Sequence, residues 1–329
     1  MTSKLKIQVK IKPKTKYKMI DLFAGTGAFS YAFESTNRFE TLFANDYDEN
    51  SKKIYDLNFH TPLTLKDLND LKATEIPSHD LLCGGFPCQP FSIAGQQKGF
   101  GDVRSNVFWT ILDILKHHQP RIIVLENVKN LTSHDNGQTF ATITKKLMET
   151  GYYLNYQVLN TCQITNIPQN RERIYIIGFR NRSDYDRFSF DFPPQKNDTI
   201  ATFLETNVDQ KYYYDQRFKV WDIIEKNVTK DISTNTIYQI RRCYIRENKS
   251  KVCPTLTANC GTGGHNVPIL KDQQGIRKLT PRECFNLQGF PSNYQLPLIS
   301  DSGLYKLAGN AVSVPVVKLI ADKIAQLFS

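Results

Sequence analysis

The chain has 329 residues, a length that suits one or two domains. Its 40% hydrophobic and 12% aromatic content supports a large buried core and excludes a wholly disordered chain. The net charge of +10 points to a polyanionic partner, although the first 18 residues hold seven lysines and no acid, leaving 10 − 7 = +3 for the body.

Other features narrow the class. No apolar run approaches the roughly 18 residues of a membrane span, and the N-terminus has no apolar core followed by a small-residue cleavage site. The seven cysteines are odd in number, spread out and without a CxxC pair, which argues against a disulfide framework and a zinc site. The expectation is a reduced, cytoplasmic protein with no bound metal and no membrane association.

Residues 1–16 form a basic extension in which Leu5, Ile7, Val9 and Ile11 alternate with polar residues. It reads either as a solvated tail, with the pattern of an edge strand, or as an arm that touches DNA. From Tyr17 to about residue 180, strand and helix patterns alternate. "KMIDLFAG" is a strand ending in glycine, a helical pattern spans Phe29 to Glu34, and "ETLFAND" is a strand ending in acids. "DLLCGG" is a third strand, "NVFWTILDILKHH" a helix stopped by Pro120, and "RIIVLENV" an apolar strand. "FATITKKLMETG" is a helix closed by Gly151, with "YLNYQVLN" and "RIYIIGF" as later strands. This alternation predicts an α/β fold, a doubly wound and mostly parallel sheet covered on both faces. Binding groups then gather at the carboxyl ends of strands. The pattern breaks near Phe192 and stays irregular, polar and aromatic to about Gly275, which predicts a second, smaller domain. A long helical pattern closes the chain.

Several clusters carry candidate chemistry. In "DLFAGTGAFS", Gly25 and Gly27 follow a strand and precede a helix, and Asp46 ends the next strand, where an acid can bind ribose hydroxyls. Ser30 stands where a dinucleotide fingerprint has its third glycine, so the turn fits any nucleoside cofactor, or is simply a tight turn. In "GGFPCQPFS", Cys88 sits between prolines that restrict its backbone. A thiol there is a nucleophile or a packed small residue. Glu126 and Asn127 end the apolar strand "RIIVLENV". A Glu acting there as an acid needs its pKa raised by about two units, which costs about 2.7 kcal/mol and which burial can impose. "QNRERIYIIGF" offers Gln169, Arg171 and Arg173. Its two arginines share one side of an extended segment, as surface charges or as a fork for carbonyls or phosphates. "RRCYIRENKSKVCPTLTANCGTGGHNVP" joins a basic cluster to a Gly-Thr-Asn loop, suited to a DNA groove or to solvent. Cys83 reads as core.

Together these segments resemble the DNA (cytosine-5)-methyltransferases of bacterial restriction–modification systems, over nearly the whole chain from Tyr17 and in the family's order. "DLFAGTGAFS" matches the cofactor motif and "GGFPCQPFS" the Pro-Cys motif. "ENV", "QNRERIYIIG", "RKLTPRECFNLQGFP" and "YKLAGNAVSVPV" follow. The resemblance implies the S-adenosylmethionine-dependent methyltransferase fold, with a catalytic domain over 1–194 and 277–329 and a target-recognition domain over 195–276. It implies Cys88 as nucleophile on carbon-6 of a flipped cytosine, Glu126 at ring nitrogen-3, Arg173 at the carbonyl oxygen and Arg171 supporting the loop. For S-adenosylmethionine it implies Phe23, Gly25, Gly27, Asp46, Tyr47, Asp67, Pro87 and Asn310. Asp46 stands where many members have Glu, and Tyr47 where many have Trp. A mobile loop is expected over 93–104. For DNA contacts it implies Arg241, Arg242, Arg246, Thr255, Asn259, Thr262, Gly263, Gly264 and His265. The implied partner is double-stranded DNA, read by a monomer, with a cognate restriction endonuclease acting separately. The alternatives are a tRNA cytosine-5 methyltransferase and a catalytically silent DNA-binding protein, the latter disfavoured by the intact Cys88, Glu126 and Arg173. An amino-methyltransferase lacks its Asn/Asp-Pro-Pro-aromatic motif here, and a nicotinamide dehydrogenase leaves Cys88 unexplained.

Overall fold

The computed structural model describes residues 16–87, 107–241, 244–261 and 267–328. The basic extension before Lys16, Cys88, the segment 93–104, Arg242, Thr262, Gly263, Gly264 and His265 lie outside the described residues.

Seven strands build the main sheet: β1 (Tyr17–Leu22), β2 (Phe39–Asp46), β3 (Leu63–Leu65), β4 (Leu81–Gly85), β5 (Ile122–Val128), β6 (Tyr153–Asn160) and β7 (Glu172–Phe179). Their order is β3-β2-β1-β4-β5-β7-β6. Pairing is parallel through β5, and β7 runs antiparallel to both β5 and β6. Helical crossovers α1 (Ala28–Glu34), α2 (Glu49–Asn58), α3 (Val107–His118) and α4 (Gln138–Glu149) link the parallel strands. Only a short connection with one turn, α5 (Thr161–Ile164), separates β6 from β7, so β7 returns alongside as an antiparallel neighbour.

Alternate residues of the strands enter different layers. Met19, Leu81, Cys83, Ile122, Val124, Tyr175 and Ile177 pack with α1 and the C-terminal helix. Ile20, Leu22, Leu82, Ile123, Leu125, Ile174 and Ile176 pack with α3 and α4. Cys83 is wholly buried in the first layer, as its sequence setting predicts. The strand order reverses between β1 and β4, and a crevice opens there beyond the carboxyl ends.

After α6 (Arg182–Arg187) and α7 (Trp221–Asn227), four short strands form an antiparallel sheet in the order β11-β10-β8-β9. They are β8 (Tyr238–Arg241), β9 (Tyr244–Glu247), β10 (Ile269–Lys271) and β11 (Ile276–Lys278). The sequence reads as irregular here because strands of three or four residues are too short to display a period. Helix α8 (Pro281–Leu287) opens on a capping box, in which the Thr280 hydroxyl accepts from Glu283 N and the Glu283 carboxylate accepts from Thr280 N, with Pro281 in the first turn.

The closing helical pattern is two helices, α9 (Asp301–Asn310) and α10 (Val314–Leu327). Pro315 has no N–H to return to the Ala311 carbonyl, and that oxygen instead accepts from Arg171 at 2.6 Å. Mean hydropathy over Asp301–Leu327 reaches 1.3 in its most apolar window, yet 72% of that window is buried in the protein, so these are core helices.

Candidate active site

A cleft of about 370 Å³ occupies the crevice, lined from the turn after β1, from β2, β4, β5 and β7, and from α1, α2 and α9. Its floor is the turn after β1. Phe23, Gly25 and Gly27 all take left-handed backbone conformations, at φ 55°, 53° and 70°. Glycine suits two of these, and a Cβ on Gly27 would lie 2.2 Å from the Phe59 ring. Phe23 holds the third at the strain expected of a non-glycine residue. Beneath the turn, the Asp21 carboxylate accepts from Ser30 N at 3.1 Å and Ser30 Oγ at 2.7 Å, and Ser30 Oγ lies 2.8 Å from Tyr55 Oη. Complete burial pushes the Asp21 carboxyl up to about 7. Ser30, in the place of a third glycine, therefore has a structural job: it holds Asp21.

At the end of β2, Asp46 accepts from Gly25 N and Asp48 N, each at 2.9 Å, so one carboxylate joins the glycine turn to the start of α2. Burial raises its pKa. Tyr47 lines the cleft with its ring exposed, and Asn310 lines it from the end of α9. Asp67, on the segment that follows β3, is exposed and caps a short turn by accepting from Asn69 N at 2.9 Å. Two further lining residues complete this end. Asp48 caps α2 through Asn50 N at 2.8 Å, and Lys306 donates to its other oxygen at 2.7 Å. The readable signal for Lys306 is its helical spacing from Asn310, which puts both on one face.

The other end of the cleft carries the acid–arginine pair. Glu126 and Arg173 lie on the same sheet face as diagonal neighbours, because Glu126 pairs with Tyr175 in the β5–β7 ladder. Arg173 Nε sits 3.1 Å from Glu126 Oε1 with both side chains largely buried. Burial raises the Glu126 pKa, against the opposing pull of Arg173 and Arg171. Gly85 at the end of β4 borders the carboxylate: a Cβ there would lie 3.4 Å from Glu126 Oε2, in van der Waals contact. Asn127 Nδ2 donates to Phe86 O at 2.9 Å and fixes the strand end just before Pro87, which lines the cleft. The expected nucleophile, Cys88, is the next residue and lies outside the described residues.

Arg171 also lines the cleft, but it is fully buried and works as a staple. It donates to Leu256 O at 2.7 Å, Gly309 O at 3.1 Å and Ala311 O at 2.6 Å, joining three distant segments. Burial and the adjacent Arg173 push its pKa down to about 9, so it stays charged at neutrality. Gln169, also buried, donates to Leu287 O at 2.7 Å. Arg171 is therefore not the surface charge that sequence alone permits.

Of the residues expected to touch DNA, Arg241 and Arg246 are exposed on β8 and β9, and Asn259 is exposed. The Thr255 hydroxyl is occupied, donating to Asn170 O at 2.6 Å, and so anchors its segment beside Arg171.

The family model for C-5 cytosine-specific DNA methylases matches residues 17–326. The chain is 49% identical over 307 residues to the type II methyltransferase M.Bsp6I of Bacillus sp., covering 92% of this chain and 96% of that protein. It is 39% identical to M.HaeII of Haemophilus aegyptius over 93% of this chain and 92% of that one. Among solved structures, the fold matches the Dnmt2 methyltransferase of S. pombe at a TM-score of 0.71 and 22% identity, covering 95% of this chain and 99% of that one. The Entamoeba histolytica methyltransferase EhMeth matches equally at 0.71 and 21% identity, over 96% and 99%. The glycine turn, the acid–arginine pair and the match across residues 17–326 agree: the chain belongs to the C-5 cytosine-specific DNA methylase family.

Proposed function

We propose that this DNA (cytosine-5)-methyltransferase acts through a covalent adduct between Cys88 and a cytosine flipped out of double-stranded DNA. The observation that carries the reading is the buried Glu126–Arg173 pair, 3.1 Å apart at the strand end where Pro87 leads to Cys88. Carbon-5 of cytosine is too weak a nucleophile to take a methyl group unaided. The Cys88 thiolate adds to carbon-6, forming the S–C6 bond and pushing electron density toward carbon-5 and ring nitrogen-3. Glu126 holds a proton at nitrogen-3, a role its raised pKa supports, and Arg173 holds the ring's carbonyl oxygen. Loss of the carbon-5 proton and of Cys88 restores the aromatic ring after methylation. The ring is inaccessible while stacked, so the base leaves the duplex at a cost of a few kcal/mol, offset by pocket contacts.

S-adenosylmethionine, when bound, supplies the electrophilic methyl group. The residues fit it: the left-handed Gly25 opens the turn without a Cβ, and Asp46 is fixed by Gly25 N and Asp48 N where a ribose acceptor is needed. Phe23, Tyr47, Pro87 and Asn310 line the same volume. Residues 1–194 and 277–329 form the catalytic unit and 195–276 the recognition unit, with Arg171 stapling the two. The enzyme works in the cytoplasm as a monomer and protects DNA from a separate restriction endonuclease.

Expression in a bacterial host followed by bisulfite sequencing of DNA and tRNA tests the reading. One short DNA site should be protected by the wild-type chain and unprotected with Cys88→Ala. Protection confined to tRNA, or persisting in the variant, refutes it.

A further inference from the structure

We propose that the outer edge of β6 is a docking surface for the first residues of this same chain, which join the main sheet as an added strand with Leu5 and Ile7 on the α4 side.

The edge is of a kind that soluble proteins rarely leave open. Among the described residues β6 ends the sheet, with β7 as its neighbour. Its eight residues, YLNYQVLN, include no charge and no proline. Edge strands are ordinarily short, charged or interrupted by proline, because their unpaired N–H and C=O groups invite another strand. The opposite edge of the sheet, β3, is only three residues long. β6 has none of these protections.

Its apolar character is confined to one side. Leu154 and Val158 are partly buried against the layer of α3 and α4, and Tyr156 meets Phe140 of α4 edge-on, with ring centroids 4.9 Å apart. Tyr156 is nonetheless 53% exposed, and Met148 in the last turn of α4 is 54% exposed. The other side is polar: Asn155 Nδ2 donates to Tyr185 O at 3.4 Å, and Gln157 is exposed. A strand that fits here is apolar on one side and polar on the other.

The N-terminal extension has that pattern. Leu5, Ile7, Val9 and Ile11 alternate with Lys4, Lys6, Gln8 and Lys10, so an extended segment presents one apolar and one basic side. Laid along β6, its apolar side extends the surface of Leu154, Tyr156 and Met148, and its lysines supply the edge charge that β6 lacks.

Chain length and direction agree with this placement. The chain enters β1 at Tyr17, whose N–H donates to Arg38 O at the amino end of the parallel strands. β6 runs parallel to β1, since β7 is antiparallel to both β5 and β6. A segment that leads down into β1 therefore runs antiparallel to β6. The position beyond β6 is five strand spacings from β1, about 24 Å across the sheet. Residues 8–16 reach about 30 Å when extended, which leaves residues 2–7 for the edge, with Ile7 beside Leu154 and Leu5 beside Tyr156.

The test compares the full chain with a variant lacking residues 2–9, with Leu5→Ser/Ile7→Ser, and with Lys4→Gln/Lys6→Gln. Amide hydrogen exchange of the β6 peptide is measured at several protein concentrations, with β1 and β5 as internal controls, and the salt dependence of DNA binding is measured alongside. The deletion and Leu5→Ser/Ile7→Ser should each speed β6 exchange by about tenfold or more, with β1 and β5 unchanged. Lys4→Gln/Lys6→Gln should exchange like wild type, because the apolar side does the docking. Equal β6 exchange in all four proteins overturns the proposal. Protection of β6 that grows with protein concentration and survives the deletion makes a second copy the occupant, and also overturns it. A salt slope that falls in Lys4→Gln/Lys6→Gln, with β6 exchange indifferent to Leu5→Ser/Ile7→Ser, makes the extension a phosphate-binding arm and overturns it too.

Discussion

Glu126 shows how a residue's role depends on what its strand end is packed against. A carboxylate at the end of an apolar strand is ordinarily solvated; here Arg173 holds one oxygen and burial raises its pKa. Under the proposed mechanism, Glu126→Gln keeps the shape but cannot exchange a proton with ring nitrogen-3. Methyl transfer to duplex DNA should fall by roughly 10²–10⁴-fold with cofactor affinity preserved, as measured by single-turnover transfer and equilibrium binding. Asp21 gives a second expectation. Its folded pKa of about 7 lies above the ordinary 3.8 because it is buried. The folded state binds that proton more tightly than the unfolded chain, so the contribution to stability is full below about pH 4 and is lost as pH rises toward 7. Asp21→Asn keeps an acceptor for Ser30 and removes the titration. Urea unfolding across this range should show wild-type stability falling relative to Asp21→Asn by on the order of 2–4 kcal/mol. A parallel pH dependence of the two proteins would contradict it.

The elements place these residues through backbone contacts that composition does not announce. Gly309 lies in α9, where alanine would gain about 1 kcal/mol of helix propensity. A Cβ there would meet the Thr257 carbonyl carbon and oxygen at 2.1 Å, both main-chain atoms that cannot swing aside. Gly309→Ala should therefore destabilise by about 1–3 kcal/mol, opposite in sign to the propensity, as read by thermal or urea unfolding. Six of the seven main-sheet strands were legible as apolar or alternating runs between helical patterns, whereas β3, only three residues long, was too short to show a period. The antiparallel placement of β7 was not, since direction depends on the connection and on which edge remains open. The break at 311–313 was half-legible: Pro315 marks it, but Arg171, which takes the freed carbonyl, comes from a segment 140 residues away.

At the scale of the molecule, Arg277 ties the small sheet to α8. It is 1% exposed, meets Glu283 through two bonds at 2.8 and 2.9 Å, and meets Asp272 at 2.6 Å. Removing Glu283 leaves the buried Arg277 with Asp272 as its remaining carboxylate, so the cost falls toward the lower end of the roughly 3–5 kcal/mol of a broken buried pair. Glu283→Ala should thus unfold at much lower denaturant than wild type. Arg277→Met combined with Glu283→Leu should recover much of that loss in the same urea titration, because no charge is then buried alone. A double variant as unstable as Glu283→Ala would show that Glu283 acts chiefly through the Thr280 cap.

The sequence by itself determined the fold class, the glycine turn with Asp46 on the next strand, the candidates Glu126 and Arg173, and the place of Cys83 in the core. These are local: strand periodicity, turn chemistry and strand-end position act over a few residues, and the order of the motifs does the rest. Only the tertiary structure decided that Arg171 is a buried staple, that Lys306 and Asp48 line one end of the cleft, and which face of the β8–β9 ribbon is exposed. Each of these depends on segments far apart in the chain meeting across a packed interface, and burial, which sets the state of Glu126 and Asp21 alike, is a property of those meetings and of no single stretch.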